Sequence, residues 1–192
     1  ELMGKKVPLR LHQEDFAQAL GITASQKYEK NGKDYLADVF ELIKNYSSNP
    51  IEDQIRLWDL CIFNYLIGNT DNHVKNIAIL YSEDLKGIRL APAYDLLSTV
   101  IYDSSTEKMS LNIDGEYDIR NINQKSFENE AKKLGLGKGI ATQHFLSMVE
   151  KFEMALEQST YELEEQGYGV AVDIQKQILK KAGIHNFKLT NP

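Results

Sequence analysis

The sequence predicts a mainly helical domain with a small β hairpin at its centre. Apolar residues recur every three or four positions through most of the chain, which is the spacing of amphipathic helices. One central segment instead has two short apolar runs separated by a polar turn, which is the pattern of a hairpin. No repeat and no low-complexity linker divides the 192 residues, so we expect one domain over residues 1–192 with a single core.

Two helices are predicted ahead of the central region. The first covers residues 15–20, where Phe16, Ala19 and Leu20 have helical spacing, and it ends at Gly21. The second covers residues 35–45, and its apolar side chains form one stripe: Leu36, Val39, Phe40 and Ile43.

The third predicted helix has the most complete set of end signals. Asn49 suits its N-cap, Pro50 suits its first position, and Gly68 suits the left-handed residue that ends it. Its apolar positions recur every three or four residues, at Ile51, Ile55, Trp58, Ile62 and Leu66. We therefore expect this helix to hold the following polar segment, residues 69–76, at a fixed point beside the core.

The hairpin and three more helices complete the predicted fold. Residues 77–81 and 88–90 are apolar, and the polar residues between them end in glycine. Further helices are predicted over residues 126–134, over a long segment with apolar positions from 140 to 156, and over residues 170–182.

Composition makes some classes of function less probable than others. The net charge is −6 and Lys and Arg form no dense cluster, so we expect no direct nucleic-acid binding. No apolar run approaches the roughly 18 residues of a membrane helix, and the start does not resemble a signal peptide, so we expect no membrane association and a cytoplasmic location. A single cysteine, Cys61, fits a reducing compartment and is predicted to be a buried core thiol, and Trp58, Tyr65 and Tyr94 are also predicted core residues.

The polar segment before the hairpin carries the candidate chemistry. Asp71 and Asn76 have the Asp-x4-Asn spacing of the catalytic loop of protein kinases, in which the Asp orients the attacking hydroxyl and the Asn binds a metal. The hairpin turns the chain back, so Asp95 is expected to return close to Asn76. Mg²⁺ prefers oxygen ligands, which makes Asn76 and Asp95 its candidate ligands and leaves Asp71 for the hydroxyl. His73 could stiffen the loop by bonding to backbone or to a carboxylate. On the residues alone, a structural loop with capping polar groups remains the alternative.

Two motifs in this region resemble the C-terminal region of HipA proteins, which are bacterial serine/threonine kinases and the toxins of toxin–antitoxin pairs. Residues 64–76 read NYLIGNTDNHVKN, and residues 90–99 read LAPAYDLLST. Upstream, residues 12–21 read HQEDFAQALG and are followed by Lys27 and Tyr28, which is similar to the family's segment ahead of the catalytic loop. The resemblance covers about residues 11–99, and beyond them only helical character and length agree.

The resemblance implies a fold, an activity and partners. The fold is the C-terminal lobe of a protein-kinase-like (HipA-type) fold, and the activity is an ATP-dependent serine/threonine kinase with ATP and Mg²⁺ as cofactors. The family's catalytic Asp falls on Asp71, and its two metal ligands fall on Asn76 and Asp95. Aminoacyl-tRNA synthetases are among the family's protein substrates, and a DNA-binding antitoxin is the family's typical partner.

The sequence departs from the family at its start. The family's N-terminal lobe supplies a strand Lys and a loop that cover the nucleotide phosphates. Nothing before Leu11 matches that lobe, and Lys5 and Lys6 lie in no predicted strand. We therefore expect the N-terminal lobe to be absent from residues 1–192, either because the polypeptide continues upstream or because the lobe is a separate chain. The chain alone is then expected to be inactive.

Three other functions stay open at this point. A non-catalytic interaction domain could bind the antitoxin or the missing lobe. A small-molecule or lipid kinase shares the loop spacing, since the loop does not identify the acceptor. A metal-dependent phosphoesterase is suggested by residues 71–73, but it would need several His and carboxylate ligands, and His12, His144 and His185 have no ligand-like neighbours.

Overall fold

The computed structural model describes residues 10–29 and 32–188, so Lys5 and Lys6 lie outside the described residues. The strands in chain order are β1 (Gln13–Asp15), β2 (Ala78–Tyr81), β3 (Ile88–Leu90), β4 (Lys108–Ile113) and β5 (Glu116–Asp118). The helices are α1 (Phe16–Ala19), α2 (Tyr35–Tyr46), α3 (Pro50–Ile67), α4 (Gln124–Lys133), α5 (Lys138–Glu165), α6 (Ala171–Lys181) and α7 (His185–Lys188). The prediction of a mainly helical fold is confirmed. Within the described residues, no helix is both long enough and apolar enough to span a bilayer.

Helix α3 lies at the centre of the core and follows the prediction at both of its ends. It begins at Pro50 and is ended by Gly68 in the left-handed conformation, with φ 73°. The prediction for Ile51 is wrong, because this first turn points to solvent and leaves Ile51 73% exposed. Asn49 lies at the N-cap position as predicted, but its side chain donates to Glu52 Oε2 and forms no capping bond to the backbone.

The helices around α3 agree with the predicted stripes and differ at their ends. Helix α2 buries one face against α3, and its N-terminus is capped by Asp34, whose carboxylate accepts from Ala37 N. Helix α4 begins two residues earlier than predicted because Asn123 caps it. Helices α5 and α6 lie where the apolar positions indicated, whereas the short α7 was not predicted.

The predicted hairpin is confirmed as β2 and β3, but it belongs to a three-stranded antiparallel sheet of order β1-β2-β3. The predicted helix over residues 15–20 is therefore wrong at its start. Asp15 ends strand β1, where it pairs with Ala78, and it also caps α1 by accepting from Gln18 N. Alternating strand burial is hard to recognise in a strand of three residues, and the helical spacing of Phe16 and Ala19 masked it.

A second hairpin, β4–β5, was not predicted. Residues 108–113 do alternate polar and apolar side chains, but five of the six residues of β4 are buried, so burial does not alternate along the strand. Its polar residues Ser110 and Asn112 are buried because they bond to the candidate site and to its flanking segment. Long-range hydrogen bonds therefore allow the polar side of this strand to be buried, and the local sequence does not show those bonds.

The core residues predicted from the sequence are mostly buried. Cys61 is a buried free thiol whose pKa is raised by burial. Trp58 Nε1 donates to the Ala141 carbonyl at 3.1 Å, and the Tyr65 hydroxyl donates to the Ile122 carbonyl at 2.6 Å. The prediction that Tyr94 is a core residue is wrong, because Tyr94 is 38% exposed and its hydroxyl donates to the Lys75 carbonyl at the surface.

A buried carboxylate joins α3 to the hairpin. Asp53 is fully buried and accepts hydrogen bonds from Arg89 Nε at 2.9 Å, from Leu90 N at 2.9 Å and from Ser47 Oγ at 2.6 Å. Burial alone would raise the pKa of Asp53, but these donors outweigh it and hold the pKa below its usual value. This bond set fixes β3, and with it the return path of the chain towards residue 95.

Candidate functional site

The candidate loop is anchored at its first residue. The Gly68 carbonyl accepts from the backbone N–H groups of Thr99 and Val100, at 3.1 and 3.0 Å, and from Thr99 Oγ1 at 3.2 Å. A Cβ at Gly68 would overlap the side chain of Val100 and lie 2.9 Å from Ala182 Cβ. Glycine is therefore required here for two reasons, its positive φ and the close approach of neighbouring elements.

A group of hydroxyl side chains holds the backbone directly before Asp71. Thr70 N donates to Thr99 Oγ1 at 2.7 Å, and the Thr70 and Thr99 hydroxyls lie 2.8 Å apart. Ser110 Oγ donates to the Thr70 carbonyl at 2.7 Å from strand β4. The part played by Ser110 was not predicted from the sequence, because it comes from an unpredicted strand.

The structure brings Asp71, Asn76 and Asp95 together, as the hairpin predicts. Asn76 Nδ2 lies 3.1 Å from the Asp71 carbonyl and 2.8 Å from Asp95 Oδ2. Asn69 Nδ2 lies 3.0 Å from the Asp95 carbonyl. Asp95 has a φ of 56°, a backbone region that Asp and Asn enter more readily than most residues. Asn76 is buried, whereas the carboxylates of Asp71 and Asp95 belong to exposed residues.

The spacing of Asn76 and Asp95 suits two neighbouring ligands of one cation. Mg²⁺ holds its oxygens at about 2.1 Å in octahedral geometry, which places adjacent ligands about 3 Å apart. The two side chains already approach to 2.8 Å. A half-turn of the Asn76 amide would exchange its nitrogen for its oxygen at that position. The described residues contain no group of three or more His, Cys, Asp or Glu that could hold a metal, so a cation here would complete its shell with phosphate and water oxygens.

His73 is buried, and its Nδ1 atom has no hydrogen-bond partner among the described residues. The bond predicted for His73, to backbone or to a carboxylate, is therefore not made through Nδ1. Its ring instead contacts the Tyr28 ring edge-to-face, with the centroids 5.4 Å apart. Burial lowers the pKa of His73, the positive charge of Lys27 lowers it further, and Asp71 opposes both. The folded state thus disfavours the charged form of the ring.

Tyr28 also contacts Asp71 directly. The Tyr28 hydroxyl donates to Asp71 Oδ1 at 2.8 Å, although the two residues are 43 positions apart in the sequence. No periodicity in the sequence indicates this pairing. The only signal was the position of Lys27 and Tyr28 after the upstream segment that resembles the family.

An open cleft of about 760 Å³ begins at Asp71. Tyr28, Leu97 and Met109 contribute apolar surface to it, and Asn76 and Asp95 are not part of its lining. Its floor is rich in hydroxyl groups, from Thr70, Thr99, Ser104, Ser105, Thr106 and Ser110. Asp71 thus lies between this cleft and the Asn76–Asp95 pair.

The fold and the arrangement of these residues define the class of the domain, which is the C-terminal lobe of a kinase-like fold. The chain belongs to the family of HipA-like C-terminal domains, whose model matches residues 4–158.

Individual relatives agree with this assignment. The chain is 38% identical over 141 residues to the Sinorhizobium fredii protein Y4mE, which is provisionally named a kinase, and this match covers 73% of the chain and 33% of that protein. It is 28% identical over 164 residues to the serine/threonine-protein kinase toxin HipA of Shewanella oneidensis, covering 80% of the chain and 37% of the toxin. The chain thus spans about a third of the length of the curated relatives it matches.

A solved structure shares the fold. In a complex of Shewanella oneidensis HipA, HipB and operator DNA, the matching chain superimposes with a TM-score of 0.79 at 23% identity. The match covers 94% of this chain and 45% of the other. The predicted fold, a HipA-type C-terminal kinase lobe, is therefore confirmed.

Proposed function

We propose that this chain is the catalytic lobe of a HipA-like serine/threonine protein kinase, which transfers the γ-phosphate of ATP to a hydroxyl group of a protein. The observation that carries the proposal is the grouping of Asp71, Asn76 and Asp95. Asn76 bridges the backbone of Asp71 and the carboxylate of Asp95, while the Asp71 carboxylate stays accessible beside a cleft.

Each residue of the group has a role that fits its position. Asp71 accepts the hydrogen bond of the acceptor hydroxyl and holds that hydroxyl in line with the phosphate. Asn76 and Asp95 supply oxygen ligands to Mg²⁺, which neutralises charge on the phosphate oxygens when it is bound. Phosphoryl transfer depends mainly on positioning and electrostatics. A loop that holds these three groups in place would orient the acceptor hydroxyl and bind the metal.

The two reactants approach Asp71 from different sides in this proposal. The acceptor segment enters the cleft, whose lining includes Asp71 and many hydroxyl groups. The nucleotide lies on the side of Asn76 and Asp95, which do not line the cleft. Asp71 lies between them, which is where a residue that orients the acceptor has to be.

The nucleotide needs a second lobe. The exposed apolar side chains Tyr94, Leu96 and Leu97 flank Asp95 and are each 38–43% exposed. A surface of this kind next to the proposed metal ligands suits contact with the nucleotide or with an N-terminal lobe. We call the assembly of this chain with that lobe, on one polypeptide or on two, the two-lobe kinase.

The named relatives support a further step in the proposal. One of them is a kinase toxin, and the structural neighbour is a complex with HipB and operator DNA. We infer that the two-lobe kinase acts as the toxin of a toxin–antitoxin pair, with an antitoxin that binds DNA as its partner. The protein substrate is an open part of this proposal, and aminoacyl-tRNA synthetases are the first class to test.

The experiment that tests the proposal compares the lone chain with the two-lobe kinase. Both are incubated with γ-labelled radioactive ATP and a dialysed lysate, with Mg²⁺ or with a chelator. We expect Mg²⁺-dependent transfer of label to protein by the two-lobe kinase and almost none by the lone chain, because we expect the N-terminal lobe to supply the clamp on the phosphates. No transfer and no ATP hydrolysis by the two-lobe kinase would contradict the proposal.

A non-catalytic interaction domain is the second candidate. The observation that favours it is the structural neighbour, which is described as a complex with HipB and operator DNA. Stable binding of the antitoxin encoded beside the gene, together with absence of transfer in the presence of the N-terminal lobe, would favour this function instead.

A further inference from the structure

We propose that Tyr28 is a positioning residue of the phosphoryl-transfer site: its hydroxyl holds one oxygen of the Asp71 carboxylate and leaves the other oxygen for the acceptor hydroxyl. This inference rests on the proposed function, because it assigns a task within the same reaction. It concerns a residue far from the loop in sequence and outside the Asp71, Asn76 and Asp95 group.

The first observation is the hydrogen bond itself. The Tyr28 hydroxyl lies 2.8 Å from Asp71 Oδ1, and among the described residues no other side chain is hydrogen-bonded to this carboxylate. Asp71 is exposed, and rotation of a carboxylate about its last torsion is broad and weakly restricted. Without Tyr28, the described structure would leave the orientation of the carboxylate plane to solvent.

The second observation is that the Tyr28 ring is held independently of this hydrogen bond. One side of the ring packs edge-to-face on the buried His73 ring at 5.4 Å, and the ammonium group of Lys27 lies 4.8 Å from its centroid. The backbone just before it is tied down as well, because the Tyr35 hydroxyl donates to the Gln26 carbonyl at 2.9 Å. The hydroxyl is therefore brought to Asp71 by packing, which is what a positioning residue requires.

The third observation is the place of Tyr28 in the cleft. Tyr28 and Asp71 both line it, so an acceptor segment that reaches the carboxylate passes beside the tyrosine. An ionised carboxylate accepts several hydrogen bonds, and one donor on Oδ1 leaves Oδ2 open. Tyr28 then fixes the carboxylate plane while the acceptor hydroxyl bonds to the second oxygen. Asp71 can hold that hydroxyl without a search for the correct rotamer.

A purely blocking role for Tyr28 makes the opposite prediction. If the phenol occupies the position that the acceptor hydroxyl needs, its removal increases the rate of transfer. If it orients the carboxylate, its removal decreases the rate of transfer and leaves nucleotide binding intact, since neither Asn76 nor Asp95 is hydrogen-bonded to Tyr28 in the described structure.

The test uses Tyr28→Phe in the two-lobe kinase, because phenylalanine keeps the ring contact with His73 and removes only the hydroxyl. We expect kcat to fall about tenfold to hundredfold, the range for loss of one hydrogen bond to a charged group. The KM for ATP and the dissociation constant of Mg-ATP should stay within about twofold, as expected when an interaction serves the transition state alone.

Two further variants keep the outcomes separate. Tyr81→Phe removes a hydrogen bond of the same kind away from Asp71, from the Tyr81 hydroxyl to Glu14 Oε2 at 2.7 Å, so it should leave kcat nearly unchanged. An equal fall in kcat in Tyr81→Phe, or an unchanged or raised kcat in Tyr28→Phe, would overturn the inference. Asp71→Asn tests the proposed function separately: if it abolishes transfer while Tyr28→Phe behaves as wild type, only the role of Tyr28 is wrong.

Discussion

The replacement of Gly68 by alanine tests how rigidly the fold holds the candidate loop. Gly68 has a φ of 73°, where a Cβ costs about 1–2 kcal/mol. The added methyl group would also overlap Val100 Cγ1 and lie 2.9 Å from Ala182 Cβ and 3.2 Å from Ala182 Cα. Overpacking of one methyl group into a filled interior costs about 1–3 kcal/mol. The sum predicts that Gly68→Ala lowers the free energy of unfolding by about 2–5 kcal/mol.

Gly135 provides a matched control within the same chain. Its φ is also 73°, but a Cβ there has no atom within 4 Å. Gly135→Ala should therefore lose only the conformational part, about 1–2 kcal/mol, and both variants share the same gain from a less flexible unfolded chain. The difference between the two variants, about 1–3 kcal/mol, measures the contact between the start of the loop, Val100 and Ala182.

Urea denaturation of the purified chain, followed by circular dichroism, measures both variants. A double-mutant cycle adds Val100→Ala, which removes the atom nearest to the new methyl group. In that background, Gly68→Ala should cost measurably less than it does alone. Equal losses for Gly68→Ala and Gly135→Ala, within about 0.5 kcal/mol, would show that the loop start is not packed as described.

Three further predictions concern other parts of the account. Asp53→Ala should destabilise the chain by about 1–3 kcal/mol in urea denaturation, because it leaves the buried Leu90 N without an acceptor and the Arg89 guanidinium without its ion pair, and an unchanged free energy of unfolding would contradict this. The lowered pKa of His73 means that the folded state favours the neutral ring. The stability that His73 contributes is therefore fully present above the usual pKa of histidine, near 6.5, and declines as the pH falls below that value. The loss of stability between pH 7.5 and 5.5, values set about one unit either side of that pKa, should therefore be smaller in His73→Gln than in wild type, and an equal loss would refute the assignment. In the two-lobe kinase, Asn76→Ala and Asp95→Ala should each weaken Mg²⁺-dependent ATP binding in calorimetry. Asp114→Ala is the control, since Asp114 shares the φ of 56° but lies outside the site, and unchanged affinity in both site variants would place the metal elsewhere.

The elements that were predicted correctly are determined by residues that are close together in the sequence. Helix α3 is signalled by Pro50 at its first position, by an apolar stripe and by Gly68 at its end, and the structure confirms these features. The hairpin after it is signalled by a change of period and a polar turn, and β2 and β3 are confirmed. Such elements can be read from a few neighbouring residues, because their geometry depends on spacing and on end residues alone.

The elements that were missed depend on partners far away in the sequence. Strand β4 does alternate polar and apolar residues, but its polar residues are buried by hydrogen bonds to Thr70 and Glu29 that the local sequence does not show. Strand β1 exists because it pairs with β2 more than sixty residues later. Ile51 was misplaced because a helical stripe does not reveal where its first turn leaves the core.

The candidate site divides in the same way. Asp71 and Asn76 were found from their spacing within one loop, and Asp95 from the hairpin that returns the chain, and the structure places all three together. The Tyr28 hydroxyl and the supporting Ser110 reach the loop from segments that are about forty residues away, so no local pattern could indicate them. Their roles, like those of the three central residues, are tested by substitution.

The most direct test of the central claim is phosphoryl transfer by Asp71→Asn in the two-lobe kinase. Asn keeps the size of the side chain and removes its charge, so the fold and Mg-ATP affinity should be nearly unchanged while transfer of label to protein falls by at least about a hundredfold. Asp103→Asn, which removes one surface charge outside the site, is the control and should transfer normally. Transfer by folded Asp71→Asn at the wild-type rate would contradict the account, because Asp71 would then not orient the acceptor.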